Sequence, residues 1–206
     1  MGFFDIFRRP PPIDDIAALA TFIDEQSAFI AQKGIYEYSR ARAGHYAKVL
    51  FKEKDFLDAA EKARWTAYPL GLAMVGEMVE GVLRRHAAAE NQAAVRDALI
   101  RLTMDVFDNY PVPAAIGATA WREARVELLR RLNGASLHPP KPVKDIPEPY
   151  ARAYYGLMPI HQKLRASEFP TMRNYMRVTL INIHDQFVAR ADLPALADAL
   201  RASTSS

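Results

Sequence analysis

Five histidines, a scatter of serines and no cysteine are the raw material for chemistry in this 206-residue chain. An esterase of the common α/β kind needs its serine on a strand-to-helix elbow, written Gly-x-Ser-x-Gly. The nearest string here is Gly134-Ala135-Ser136-Leu137-His138, which lacks the second glycine and falls between a helix and a proline-rich stretch. A helical di-iron site needs Glu-x-x-His pairs on facing helices. None of the five histidines has a glutamate three residues before it. His86 and Glu90, four apart at a helix end, read as a solvated pair. His184 and Asp185 are adjacent and are expected to point in different directions. The missing cysteines exclude a thiolate metal site, a cysteine nucleophile and a disulfide scaffold. There is no Walker loop and no Gly-x-Gly-x-x-Gly to cradle phosphate. The expectation is therefore no metal and no cofactor, with the balance leaning away from an enzyme.

Polar side chains set among helical apolar ones offer subtler chemistry. Tyr38 and His45 fall on the core-facing side of the first predicted helix, with Arg42 one turn from Tyr38. A buried tyrosine or histidine must find a hydrogen-bond partner. A histidine there can also serve as a base or hold a ligand, although a satisfied core histidine is the plainer reading. Further on, Tyr150, Tyr154, Tyr155, Met158 and His161 crowd one stretch. A pocket between helices lined by Tyr38, Tyr154, Met158 and Met176 would suit a lipid-like or aromatic molecule. Ordinary core is the competing reading.

The elements that must position these groups are helices. The chain has 34 alanines and only 9 glycines, a composition that favours helix. The first helix starts after Asp14 or Asp15, either of which can cap free N–H groups. Ile16, Leu19, Ala20, Ile23, Ile30, Ala31, Ala41 and Val49 then share one face, so it extends to about Leu50. A second pattern begins after Asp55, and Pro69 should kink or restart it. Leu70–His86 and Asn91–Asn109 follow. Pro113 opens a helix that ends at Asn133-Gly134. Five prolines between Leu137 and Pro149 make an extended arm. Pro149, Pro170 and Asp192-Pro194 each open a helix, the first of them containing Pro159. The fold is thus all-α, a single-domain bundle of about six to eight helices over residues 13–206, with the arm at 137–149 and a leader at 1–12. The longest apolar run, Tyr68–Val75, is far short of the ~20 residues that a membrane span requires.

Two surfaces suggest partners. The leader reads GFFDIFRR from Gly2. Phe3, Phe4 and Phe7 with Arg8 and Arg9 make a small amphipathic patch, suited to weak membrane-surface contact or to a partner. Along the first helix, Phe22, Phe29 and Tyr36 recur every seven residues opposite the Ile16–Val49 face. A helix apolar on two sides is central or packs on a partner, a second copy of the chain included. The 27 basic residues are nearly balanced by 24 acidic ones, without a block of like charge, so nucleic acid is not expected. No secretory signal is apparent, which makes the cytoplasm, at most the periphery of the inner membrane, the expected location.

The stretch Ala28–Gly44, AFIAQKGIYEYSRARAG, resembles a group of uncharacterised alphaproteobacterial helical proteins. The resemblance extends through Phe56 and Trp65, about a third of the chain. Some of those proteins carry the loose label "esterase", which brings no motif to transfer onto these residues. Three functions stand in order: a non-catalytic interaction or assembly protein, a binder of a small apolar ligand, and a hydrolase. The triple proline at Pro10–Pro12 separates the leader from the first capped helix. Deleting residues 2–9 should leave the helical circular-dichroism signal and the melting temperature nearly unchanged. A fall beyond ~5 °C would make the leader part of the core.

Overall fold

Capping and periodicity build the helices as anticipated at most of their starts. The computed structural model describes residues 10–165 and 167–203. Helix α1 (Ile16–Ala43) is capped by Asp15, whose carboxylate accepts the Ala18 N–H at 2.7 Å. A one-turn α2 (Ala47–Leu50) follows, then the 33-residue α3 (Lys54–His86), α4 (Gln92–Asp108) and α5 (Gly117–Ser136). Next come α6 (Glu148–Gly156), one-turn α7 (Gln162–Arg165), α8 (Phe169–Arg190) and α9 (Leu193–Ala202). Pro149 and Pro170 sit in first turns, and the Asp192 carboxylate caps α9 through the Ala195 N–H. Among the described residues no strand forms; one isolated bridge joins Ile13 to Ala191. The chain is an all-α bundle around one hydrophobic core.

The central helix is α3, not α1. From Gly71 to Leu83 every α3 residue is buried, as a helix apolar on all sides requires. Its neighbours are α1, α4, α5, α8 and α9. Pro69 does not break it. A proline inside a helix removes one hydrogen bond and costs about 3 kcal/mol, but here burial on every side of the turns that follow opposes unwinding. The heptad aromatics of α1 also divide. Phe22 is buried against Phe187 at 5.3 Å between centroids. Tyr36 is half-buried against Phe51, and Phe29 is 40% exposed.

Three boundaries differ from expectation. Helix α1 stops at Ala43 because Gly44 adopts φ +54°, which turns the chain and leaves Val49 in solvent. Helix α5 begins at Gly117, after a turn closed by the Gly117 N–H on the Pro113 carbonyl, and it continues through Gly134 to Ser136. Helix α6 ends at Gly156, so Pro159 lies in the loop beyond.

The proline arm is fastened to α3 rather than extended away from it. Lys141 pairs with the buried carboxylate of Glu77 at 2.8 Å. The Arg84 guanidinium, itself 2.9 Å from Glu80, donates to the Ser136 and His138 carbonyls. Ile146 is buried beneath. Burial raises the Glu80 pKa, against the pull of Arg84 and Arg96.

Close approach sets the α1–α3 distance. A Cβ on Gly71 would lie 2.6 Å from the Ser27 carbonyl oxygen of α1, a backbone atom that cannot swing away. Gly134, inside α5, has open space where its Cβ would be. The same substitution should therefore act with opposite signs in urea unfolding. Gly134→Ala should stabilise by up to about 1 kcal/mol through helix propensity. Gly71→Ala should destabilise by ~1–3 kcal/mol through overpacking. Equal effects at the two sites would contradict this packing.

Candidate functional site

The outward side of α1 carries a chain of three hollows. The middle one, open and about 490 Å³, is formed by Phe29, Gln32, Lys33, Tyr36, Glu37 and Arg40. All six are successive surface positions of one helix. Lys33 Nζ stands 4.7 Å over the Phe29 ring, and the Arg40 guanidinium stands 5.5 Å over Phe51. Two aromatic faces here are thus roofed by cations, while Phe29 stays 40% exposed.

Glu37 is shared with a second hollow of about 210 Å³ between α1 and α8. Gly34, Tyr38, Ala41, Met172 and Tyr175 line it. Only glycine fits at position 34, because a Cβ there would fall 2.1 Å from the Tyr154 hydroxyl. That hydroxyl donates to the Ile30 carbonyl at 2.6 Å. At the rim, Tyr38 donates to Glu168 at 2.6 Å, and Arg42 pairs with the same carboxylate at 2.7 Å. Burial first, and Glu168 second, push the Tyr38 pKa up.

Gln32 is shared with the third hollow, about 50 Å³, between α1, α3 and the end of α4. Trp65, Tyr68 and Tyr110 form its walls, with Ala28, Ala31 and Arg64. The three rings meet pairwise at 64–77° with centroids 5.1–6.2 Å apart. Asp24 accepts both tyrosine hydroxyls, at 2.7 Å from Tyr68 and 2.8 Å from Tyr110. Glu61 accepts the Trp65 indole N–H at 2.8 Å and Arg64 at 2.9 Å. Burial first, then the Asp24 carboxylate, raises the pKa of both tyrosines.

The sequence candidates scatter across this picture. Tyr38 lines a hollow and Arg42 braces its rim, while Phe29 and Tyr36 line another. Tyr154, Met158 and Met176 are buried core, so they do not line the pocket expected of them, and Phe22 of the heptad stripe is core as well. His45 is exposed against Tyr46, beyond the helix break that Gly44 makes. The leader residues Phe3, Phe4, Phe7, Arg8 and Arg9 lie outside the described residues. The Ser136 hydroxyl donates to the Asn133 carbonyl within α5, while His138 is exposed. His184 does meet Asp185, Nδ1 to Oδ1 at 3.1 Å, on the exposed side of α8. Sequence reading missed Asp24, Gln32, Arg40, Trp65, Tyr68 and Tyr110. Only the Trp65–Tyr68 spacing of three, one helical turn, could have hinted at a shared wall.

Among the described residues no three potential metal ligands cluster, and no helix is long and apolar enough to cross a membrane. No protein-family model, curated protein or solved structure matches the chain.

The tyrosine–aspartate pair has a titration signature. A tyrosine whose pKa is raised by folding holds its proton in the native state after the unfolded chain has lost it at about pH 10. Its stabilisation is complete below that pH and is lost as pH rises further. Tyr68→Phe should cost about 1.5–3 kcal/mol at pH 7, the value of a hydrogen bond to a charged acceptor. It should also make the fall of the urea midpoint above pH ~10 shallower than in wild type. Parallel alkaline limbs would show that Tyr68 does not carry the effect.

Proposed function

We propose that the protein is a non-catalytic interaction protein and that the outward side of α1 is its docking surface. One observation carries this reading. The outward face of α1 carries Phe29 and Tyr36 around an open hollow, which adjoins a hollow on each flank of the helix through Gln32 and Glu37. Aromatic anchors in shallow pockets are the side chains that dominate binding energy at protein interfaces. Phe29 and Tyr36, two turns apart on the outward face, suit an amphipathic helix laid along α1. The charges specify its chemistry. Lys33 and Arg40 flank the Phe29–Tyr36 hollow against the single carboxylate of Glu37. The partner segment is therefore apolar on one face with acidic residues at its edges.

The reading is tested by placing a photo-crosslinking amino acid at position 29 and, as a control, at Val126, which is exposed on α5. The expected adduct forms from position 29 and not from position 126, and its crosslinked peptide is amphipathic with acidic flanks. With that peptide in hand, Phe29→Ala and Tyr36→Ala should each weaken binding at least ~10-fold, as interface anchors do. Phe29→Ala should cost less stability than truncating a core phenylalanine, because Phe29 is 40% exposed. A position-29 adduct no stronger than the control overturns the proposal. An adduct with a second copy of the chain replaces it with self-association.

A further inference from the structure

We infer that the end of the bundle where α1 turns back into α3 docks on an anionic lipid surface. This end lies beyond the outward face of α1 and uses neither Phe29 nor Tyr36. Gly44, at φ +54°, ends α1 and throws the chain into a 3-10 turn (Gly44–Tyr46) and the one-turn α2. Phe51 holds this corner from inside, its ring centroid 4.9 Å from that of Phe56. Tyr46 and Val49, three residues apart, stay outside at 64% and 51% exposed. Beside the corner lies α7, whose Leu164 is 61% exposed. Arg42, in the last turn of α1, fastens the two turns together. It donates to the Leu164 carbonyl at 2.5 Å and pairs with Glu168 at 2.7 Å.

The charges around these apolar tips are of one sign. Residues 44–52 and 161–165 hold Lys48, Lys52, Lys163 and Arg165 and not one carboxylate. Arg165 is turned inward onto the Tyr155 and Gly156 carbonyls. Lys48, Lys52 and Lys163 are exposed, and their ammonium groups form no ion pair among the described residues. The carboxylates that follow, Glu53, Asp55 and Asp58, lie at the start of α3, and Asp58 is taken up by Lys54. Lysines beside exposed apolar side chains make an interfacial anchor. The apolar tips enter the headgroup boundary, and the lysine stems lie along it with their ammonium groups among the phosphates. Tyrosine, with an apolar ring and a polar tip, suits the same boundary.

Shape favours a bilayer over an acidic polypeptide. The apolar tips stand on two separate turns at the end of the bundle, not along one helix face or groove that a peptide could follow. Lipids rearrange around such a projection, whereas a folded partner must match it. The helical turns α2 and α7 have four residues each, so the contact is interfacial and shallow. Each lysine brought to an anionic leaflet strengthens binding about fivefold. Three of them therefore make the contact depend on lipid charge and leave it reversible. The described chain begins at the other end of α1, where Ile13 pairs with Ala191, so this contact is separate from any made by the leader.

The test uses the full chain, whose lack of cysteine allows a single fluorophore to be placed at will. An environment-sensitive dye is attached through Val49→Cys at the corner, or through Val188→Cys near the other end of α8, where the side chain is also exposed. Each labelled protein is titrated with phosphatidylcholine vesicles containing about 30% phosphatidylglycerol, with pure phosphatidylcholine vesicles, and with polyglutamate. The expected result is a saturable blue shift at position 49 with the anionic vesicles, at least ~10-fold weaker with neutral ones and falling as salt is added. The label at position 188 should stay unchanged. In sedimentation with the anionic vesicles, the unlabelled double variant Lys48→Gln, Lys52→Gln should bind at least ~10-fold more weakly than wild type. Its helical signal should be kept, because both lysines are exposed. No vesicle binding, equal binding to neutral vesicles, or unchanged binding of the double variant overturns the inference. A shift at position 188 as large as at 49 overturns it by placing the contact elsewhere. A shift with polyglutamate but not with vesicles overturns it in favour of an acidic polypeptide.

Discussion

The contact of Gly71 on α3 with the Ser27 carbonyl of α1 governs the arrangement of the other helices. Two helix backbones can touch this closely only where one of them has no side chain. The contact brings α1 down onto the most buried span of α3, where Leu19, Ile23, Ile30 and Ala31 complete the core. Ser27 is buried there, and its hydroxyl donates to its own helix at the Ile23 carbonyl, so the close approach strands no polar group. Gly34, two turns along α1, repeats the device for the Tyr154 hydroxyl. Small residues on α1 and α3 thus admit both a neighbouring backbone and a buried tyrosine.

Seating α1 in this way determines what its other side presents. With one face consumed by α3, the Phe29, Lys33, Tyr36 and Arg40 positions must look outward. The flanks then open into the α8 side at Tyr38 and Tyr175 and the α3–α4 side at Trp65 and Tyr110. The tyrosine hydroxyls of the two flanking hollows are tied to carboxylates, Tyr68 and Tyr110 to Asp24 on one side and Tyr38 to Glu168 on the other.

Charge inside the bundle serves fastening. Glu77 and Glu80 lie on the most buried part of α3, where an unpaired carboxylate would be severely disfavoured. Lys141 and Arg84 answer them from the arm and from the next turn. Through Arg84 the same cluster also holds the last carbonyls of α5 and the start of the arm. The proline segment, which cannot satisfy its backbone in a helix, thereby gains a defined path across the molecule.

Sequence alone determined the helical class, the start of the first helix at the Asp14–Asp15 pair and the start of the last at Asp192-Pro194. These follow from local hydrogen bonding and from a period of 3.6 residues, which any stretch of chain carries within itself. The tertiary structure alone decided that α3 and not α1 is central, that Pro69 stays inside a helix, and that the arm lies against α3. It also decided that Phe22 is core while Phe29, one heptad on, meets solvent. Periodicity says which side chains share a face, but not which neighbour covers that face or where the cover ends. The Trp65–Tyr68–Tyr110 corner was illegible for the same reason. Its walls come from α1, α3 and the turn after α4, and its acid, Asp24, from α1, and only packing brings residues 24, 65 and 110 together.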